Sequence, residues 1–234
     1  MILEMTRPVQ GGLRQERQFD VVANHLANID TTGFKGDILS FDRMFKAQMN
    51  VDLTQGPVKE TGGKLDMALE DEGFFKIKTQ RGVRYTRNGN FTLSGNGTLV
   101  TKEGDPVLAD GQPVVFDQNN IENIFVHKDG NIEAYSLTGG LADLGKLDVV
   151  TFKNLEKIEK EGSSLFIYNG DVQDEIPPDN ISVKQGALEM SNVTSVTEMV
   201  KMIEEHRMYE SYQKMIQTFD ATDEKAVNEV GKLQ

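Results

Sequence analysis

Apolar residues keep a helical period at both ends of this 234-residue chain and a strand period between them. Such a chain must fold as a β-rich body flanked by two long helices, neither with a helical neighbour in sequence. Near the N-terminus Phe19, Val22, Leu26 and Ile29 step by three, four and three, a seam of period 3.5. Pro8 suits only a first turn and Gly11-Gly12 weaken the turn around them, so the spacing predicts a helix over about 13–29. Thr31-Thr32-Gly33 closes it, with Gly33 free to turn left-handed. Near the C-terminus Tyr212, Ile216, Phe219, Asp223, Ala226, Val230 and Leu233 alternate by four and three. Val193, Val196, Val200 and Ile203 keep that alternation out of phase, which predicts a stutter around His206 and Arg207. Ser191, Asn192 and Thr194 are the N-cap candidates. Isolated amphipathic helices are marginal in water, so the two ends pack on each other or on other chains.

Between the ends the pattern changes. Phe74–Lys78, Arg84–Arg87, Asn90–Leu93, Thr98–Thr101 and Pro113–Phe116 are short β-branched and aromatic runs. Arg81-Gly82, Asn88-Gly89, Asn96-Gly97, Glu103-Gly104 and Asp110-Gly111 punctuate them, and the pattern continues through Ile124–Val126, Ile132–Ala134, Leu147–Val150 and Ser164–Phe166. Strands with a glycine turn about every eight residues describe an antiparallel meander or small barrel. The expected fold class is therefore α+β: long terminal amphipathic helices pairing as a coiled coil around a central, mostly antiparallel β domain. The expected divisions are 1–35, 36–189 and 190–234. Charge marks the same boundaries. The first 35 residues hold four acids and four bases, the last 45 eight and five, so the body carries -9 of the total -12.

That balance argues against nucleic-acid binding, which depends on Lys and Arg neutralising phosphates, and against docking on anionic membranes. No stretch reaches the ~18 apolar residues a membrane span needs. The N-terminus lacks the long apolar core of a secretory signal. With no cysteine, thiolate metal sites, disulfides and cysteine nucleophiles are excluded. The glycine-rich stretches at 94–97 and 139–145 lack dinucleotide spacing. Asp129-Gly130-Asn131 lacks the downstream glutamate of a calcium loop and reads as a hairpin turn. Glu70-Asp71-Glu72 and Asp174-Glu175 read as solvated edges rather than glycosidase carboxylates. His25 and His206 have no second metal ligand four residues on. No catalytic, cofactor or metal residue is expected, and no cofactor.

Ala23-Asn24-His25-Leu26-Ala27-Asn28-Ile29 followed by Thr31-Thr32-Gly33-Phe34-Lys35 resembles the N-terminal signature of bacterial flagellar rod and hook proteins. His25 stands where that family usually has Asn. Gly73-Phe74-Phe75, Tyr85-Thr86-Arg87-Asn88-Gly89-Asn90-Phe91 and Gly97-Thr98-Leu99-Val100 resemble its central strand motif. Ser191-Asn192-Val193, Glu198-Met199-Val200, Arg207-x-Tyr209-Glu210 and Ile216-Gln217-Thr218 resemble its C-terminal helix, with a departure after Asp220. The resemblance implies a non-enzymatic subunit that polymerises helically into the drive shaft of the basal body and encloses the export channel. The terminal helices would form an inner coiled-coil layer and the β body an outer one.

It implies an assembly interface at Asn24, Leu26, Asn28, Gly33, Phe34, Asn192, Val196, Val200, Ile203, Tyr212, Ile216 and Phe219. The Asn24 and Asn28 amides would bond neighbouring helices and fix register. Implied partners are other rod subunits, the flagellar type III export apparatus and a rod-cap muramidase. The implied location is the periplasmic rod, reached without a cleaved signal. The short interval from Gly36 to Glu72 resembles proximal-rod members, with distal-rod or hook-like members the alternative. A peptidoglycan-binding module or glycan-cleaving enzyme is the alternative outside the family, although the chain has no Trp to offer as a sugar platform.

Overall fold

A computed structural model describes residues 2–41, 47–117, 121–136, 140–162 and 164–230. Contacts divide the chain into two compact units. One comprises Met1–Ala27, Asp37–Met49 and Thr194–Gln234, and the other Asn28–Gly36 with Asn50–Val193.

The first unit is built on two helices, α1 (Ile2–Ala27) and α2 (Ser195–Val230). They pack on each other antiparallel: His25 of α1 bonds Glu198 of α2, while Gly11 lies against Tyr212. Helix α1 runs through Pro8 and Gly11-Gly12 instead of starting near residue 13. The reason is packing. A Cβ on Gly11 would stand 2.5 Å from the Tyr212 ring, so the glycine lets the helices approach there. Phe19, Val22 and Leu26 do face inward, and the same seam extends back through Gln15, Gly12 and Pro8.

Helix α2 corrects the sequence reading. Its inward residues are Glu198, Met202, Glu205, Tyr212, Ile216, Phe219 and Asp223, one unbroken four-three alternation in which Tyr209 fills the open place. There is no stutter at His206 and Arg207. Val196, Val200 and Ile203 are 76%, 50% and 55% exposed and form a separate stripe facing solvent. The seam positions expected at Ala226, Val230 and Leu233 lie outside the described side chains. Thr194 precedes α2, and its carbonyl accepts the Glu198 amide at 3.1 Å.

The second unit is the β body. A six-stranded antiparallel sheet has the order Ile158–Glu161, Leu165–Tyr168, Gly82–Thr86, Phe74–Thr79, Val149–Phe152, Glu175–Ile176. Successive side chains in a strand point to opposite faces, and Phe74-Phe75 uses this directly. Phe75 joins the larger cluster with Met67, Ile77, Leu99, Val107, Phe116, Ile132 and Leu147. Phe74 joins the other, with Tyr85, Val150, Phe152, Ile158 and Phe166. The sheet is thus buried on both faces. A three-stranded sheet of Ile121–Val126, Asn131–Ser136 and Leu141–Lys146 adds Ile124, Val126 and Ala134 to the larger cluster. Asp110-Gly111 makes the two-residue hairpin its sequence predicts, with φ of +47° and +75° between Ala109 and Gln112. Two short ladders, Val183–Gln185 on Met67–Leu69 and Ala187–Glu189 on Val58–Glu60, bring the end of the body back to its beginning.

Candidate assembly interface

The helix pair is fastened at one end by a histidine. The Asp37 amide donates to His25 Nε2 at 2.7 Å, which leaves Nδ1 to carry the proton it donates to Glu198 Oε2 at 2.9 Å. Lys201 donates to the other Glu198 oxygen at 2.7 Å. Burial opposes the Glu198 charge, but the bonds from Lys201 and His25 outweigh it and hold the carboxyl below its ordinary range. Seven residues along the seam, Glu205 is in the opposite condition. Burial and then the neighbouring Glu204 push its carboxyl up, Arg14 counteracts only in part, and its buried Oε2 has no hydrogen-bond partner.

Of the expected interface residues, Leu26, Tyr212, Ile216 and Phe219 are half-buried on the inward faces of the pair. Val196, Val200 and Ile203 lie together on the outer face of α2. Asn24 is exposed on α1. Asn28 is half-buried in the turn after α1, where its side chain accepts from the Thr31 hydroxyl at 3.3 Å.

Gly33, Phe34 and Asn192 belong to the body unit, and each is engaged within it. Gly33 has a φ of +68°, and a Cβ on it would collide with the backbone of Asn88. Phe34 is 1% exposed, with the Lys160 ammonium 4.3 Å from its ring centroid. Asn192 accepts the Gly36 amide at 2.8 Å and donates to the carbonyls of Asp52 and Thr54 at 2.9 and 3.1 Å. One amide thereby ties three segments together.

The feature sequence reasoning missed lies beside them. Lys35 and Glu189 are fully buried and paired at 2.6 Å, and the Lys35 ammonium also donates to the Thr54 carbonyl at 2.6 Å. Glu189 Oε1 takes a further bond from the Gly56 amide at 2.9 Å, and Arg87 stands 3.6 Å from Oε2. Burial pushes both cations below their ordinary pKa, and the Glu189 charge counteracts it. The only sequence signal was the presence of charged residues at strand and turn positions flanked by buried apolar ones, Phe34-Lys35 and Leu188-Glu189.

Among the described residues no group of three or more His, Asp or Glu side chains could hold a metal, and no helix is long and apolar enough to cross a membrane. The geometry presents a covered helix seam, an uncovered apolar stripe behind it, and a β body with its own locked core. That is how a self-assembling structural subunit is constructed.

Known proteins agree with this class. Residues 11–35 match the flagella basal body rod protein family, 68–134 the D1 domain of flagellar hook protein FlgE/F/G, and 184–229 the C-terminal region of flagellar basal body rod FlgEFG proteins. The chain is 34% identical to flagellar basal-body rod protein FlgF of Caulobacter vibrioides, covering 93% of each. It is 28% identical to FlgG of Bacillus subtilis over 97% of this chain and 99% of that one, and 30% identical to FlgG of Borreliella burgdorferi over 94% and 96%. The chain belongs to the flagellar basal-body rod protein family.

Proposed function

We propose that this chain is a structural subunit of the flagellar basal-body rod, polymerising through α1 and α2 into the shaft that transmits torque and encloses the export channel. The observation that carries this is the stripe Val196, Val200 and Ile203, left at least half exposed on a helix whose other face is already covered by α1. In the assembled shaft the helices form a coiled-coil inner layer (1–35 and 190–234) and residues 36–189 the outer layer. The short Gly36–Glu72 interval and the 34% identity to a FlgF protein over 93% of each chain support a proximal position. Neighbouring rod subunits are the main partners. The route is the flagellar export apparatus, the destination the periplasmic rod, and a rod-cap muramidase the accessory partner. Family membership is the support for all three.

Two substitutions separate assembly from folding. Val200→Asp places its charge on the solvent-facing stripe and should leave the helicity of the purified chain unchanged while abolishing rods and motility. Ile216→Asp buries a charge in the intrachain seam at a cost of several kcal/mol and should lower helicity as well. Electron microscopy of basal bodies and far-UV circular dichroism read the two effects. Intact rods in the Val200→Asp strain would refute the reading.

A further inference from the structure

The helix pair contains both halves of a contact that it cannot make with itself. Gln15, Glu16 and Phe19 of α1 and His206 and Tyr209 of α2 surround a mostly apolar pocket of about 180 Å³. An apolar cavity of roughly 150 Å³ holds a benzene molecule, so this one takes a single large side chain. Tyr209, at a seam position, lines the pocket and is 38% exposed. The stripe on the outer face of α2 supplies the complementary shape. Ile203 is its last apolar member, and Arg207 follows one helical turn later on the same face. The charges match as well: the knob ends in a cation and the pocket rim carries the exposed Glu16.

We propose that the pocket of one copy receives Ile203 of a second copy, whose Arg207 pairs with Glu16. This rests on the rod-subunit reading and names the partner of that stripe. Knob and pocket are different patches on the same chain, so the contact is head-to-tail. A head-to-tail contact that does not close generates an open helical array rather than a two-fold dimer.

Charge reversal in trans tests the contact. Glu16→Arg alone sets like charges across every contact, and so does Arg207→Glu alone. Each single variant should retain wild-type helicity when purified, yet reduce the motility halo at least tenfold in a strain lacking the native chain. Co-expressed, the two variants can alternate: each junction then pairs opposite charges, and motility and rods should return. A purely intrachain role for either residue gives no rescue on mixing. Loss in both single strains without rescue, or no loss in either, would overturn the contact while leaving the rod reading intact. A wild-type chain absent from purified basal bodies would overturn the rod reading and the contact together.

Discussion

Glu189 sits with no solvent exposure of its side chain between Lys35, Arg87 and the Gly56 amide, and its removal leaves two buried cations facing each other. Breaking a buried pair from one side costs about 3–5 kcal/mol, whereas replacing both partners with apolar groups of similar size is often neutral. Glu189→Ala should therefore lower the melting temperature of the body by roughly 6–20 °C, at about 2–4 °C per kcal/mol. The double replacement Lys35→Met with Glu189→Leu should recover the part of that loss owed to Lys35 in a thermal melt, while Arg87 and the Gly56 amide still lack their acceptor. Failure of the double variant to recover would mean that the pair is needed for more than mutual neutralisation. The two seam carboxylates give a pH test with opposite signs. Glu198 is depressed below its ordinary 4.5, so its contribution is present above that value and is lost as pH falls through the folded pKa. Glu205 is raised, so the folded pair binds its proton more tightly and gains stability as pH falls toward 4.5. Glu205→Gln should stabilise the helix pair at pH 7, because it removes a charge that burial and Glu204 both disfavour. It should also flatten the gain on mild acidification, measured by helicity in urea titrations between pH 4 and 7.

At the scale of the element, Gly11 shows how propensity and packing can point in opposite directions. Gly11→Ala raises intrinsic helix propensity by about 1 kcal/mol, yet its Cβ would meet the Tyr212 ring at 2.5 Å. The variant should therefore weaken the pair, and Gly11→Ala with Tyr212→Leu should restore it; urea unfolding followed at 222 nm distinguishes the two. The sequence reads Gly11-Gly12 only as a weakness because the ring that needs the space lies some 200 residues away. The same distance limits what else is legible. Phe19, Val22 and Leu26 disclose the α1 seam because these three inward positions are apolar and regularly spaced. In α2 the inward positions include the carboxylates Glu198 and Glu205, the first bonded by His25 of α1, while Val196, Val200 and Ile203 make the stronger pattern on the outer face. The apparent stutter was two faces of one regular helix. Turns such as Asp110-Gly111 are legible because their chemistry is local. Lys35 and Glu189 are not, being partners 154 residues apart.

At the scale of the whole molecule, the chain crosses between its two units several times, and this bears on where the body can be cut. Residues 28–36 cluster with the body, and they bring Phe34 into its interior and Lys35 to Glu189. A fragment of residues 36–189, bounded by the change in residue pattern, omits both and also omits Asn192, which ties Gly36 to Asp52 and Thr54. A fragment of residues 28–193 keeps all three. Both retain the two apolar clusters of the six-stranded sheet, so both should fold as β-rich monomers with a cooperative melt. They should differ in stability. Loss of a buried phenylalanine costs about 3–5 kcal/mol, and loss of the Lys35 partner from buried Glu189 adds to it. The longer fragment should melt more than ten degrees higher, at about 2–4 °C per kcal/mol. Adding Phe34→Ala to the longer fragment should bring it about half of the way down to the shorter. Equal melting temperatures for 28–193 and 36–189 would show that the Gly33-Phe34-Lys35 turn is a bystander to body folding, with its sequence held for assembly alone.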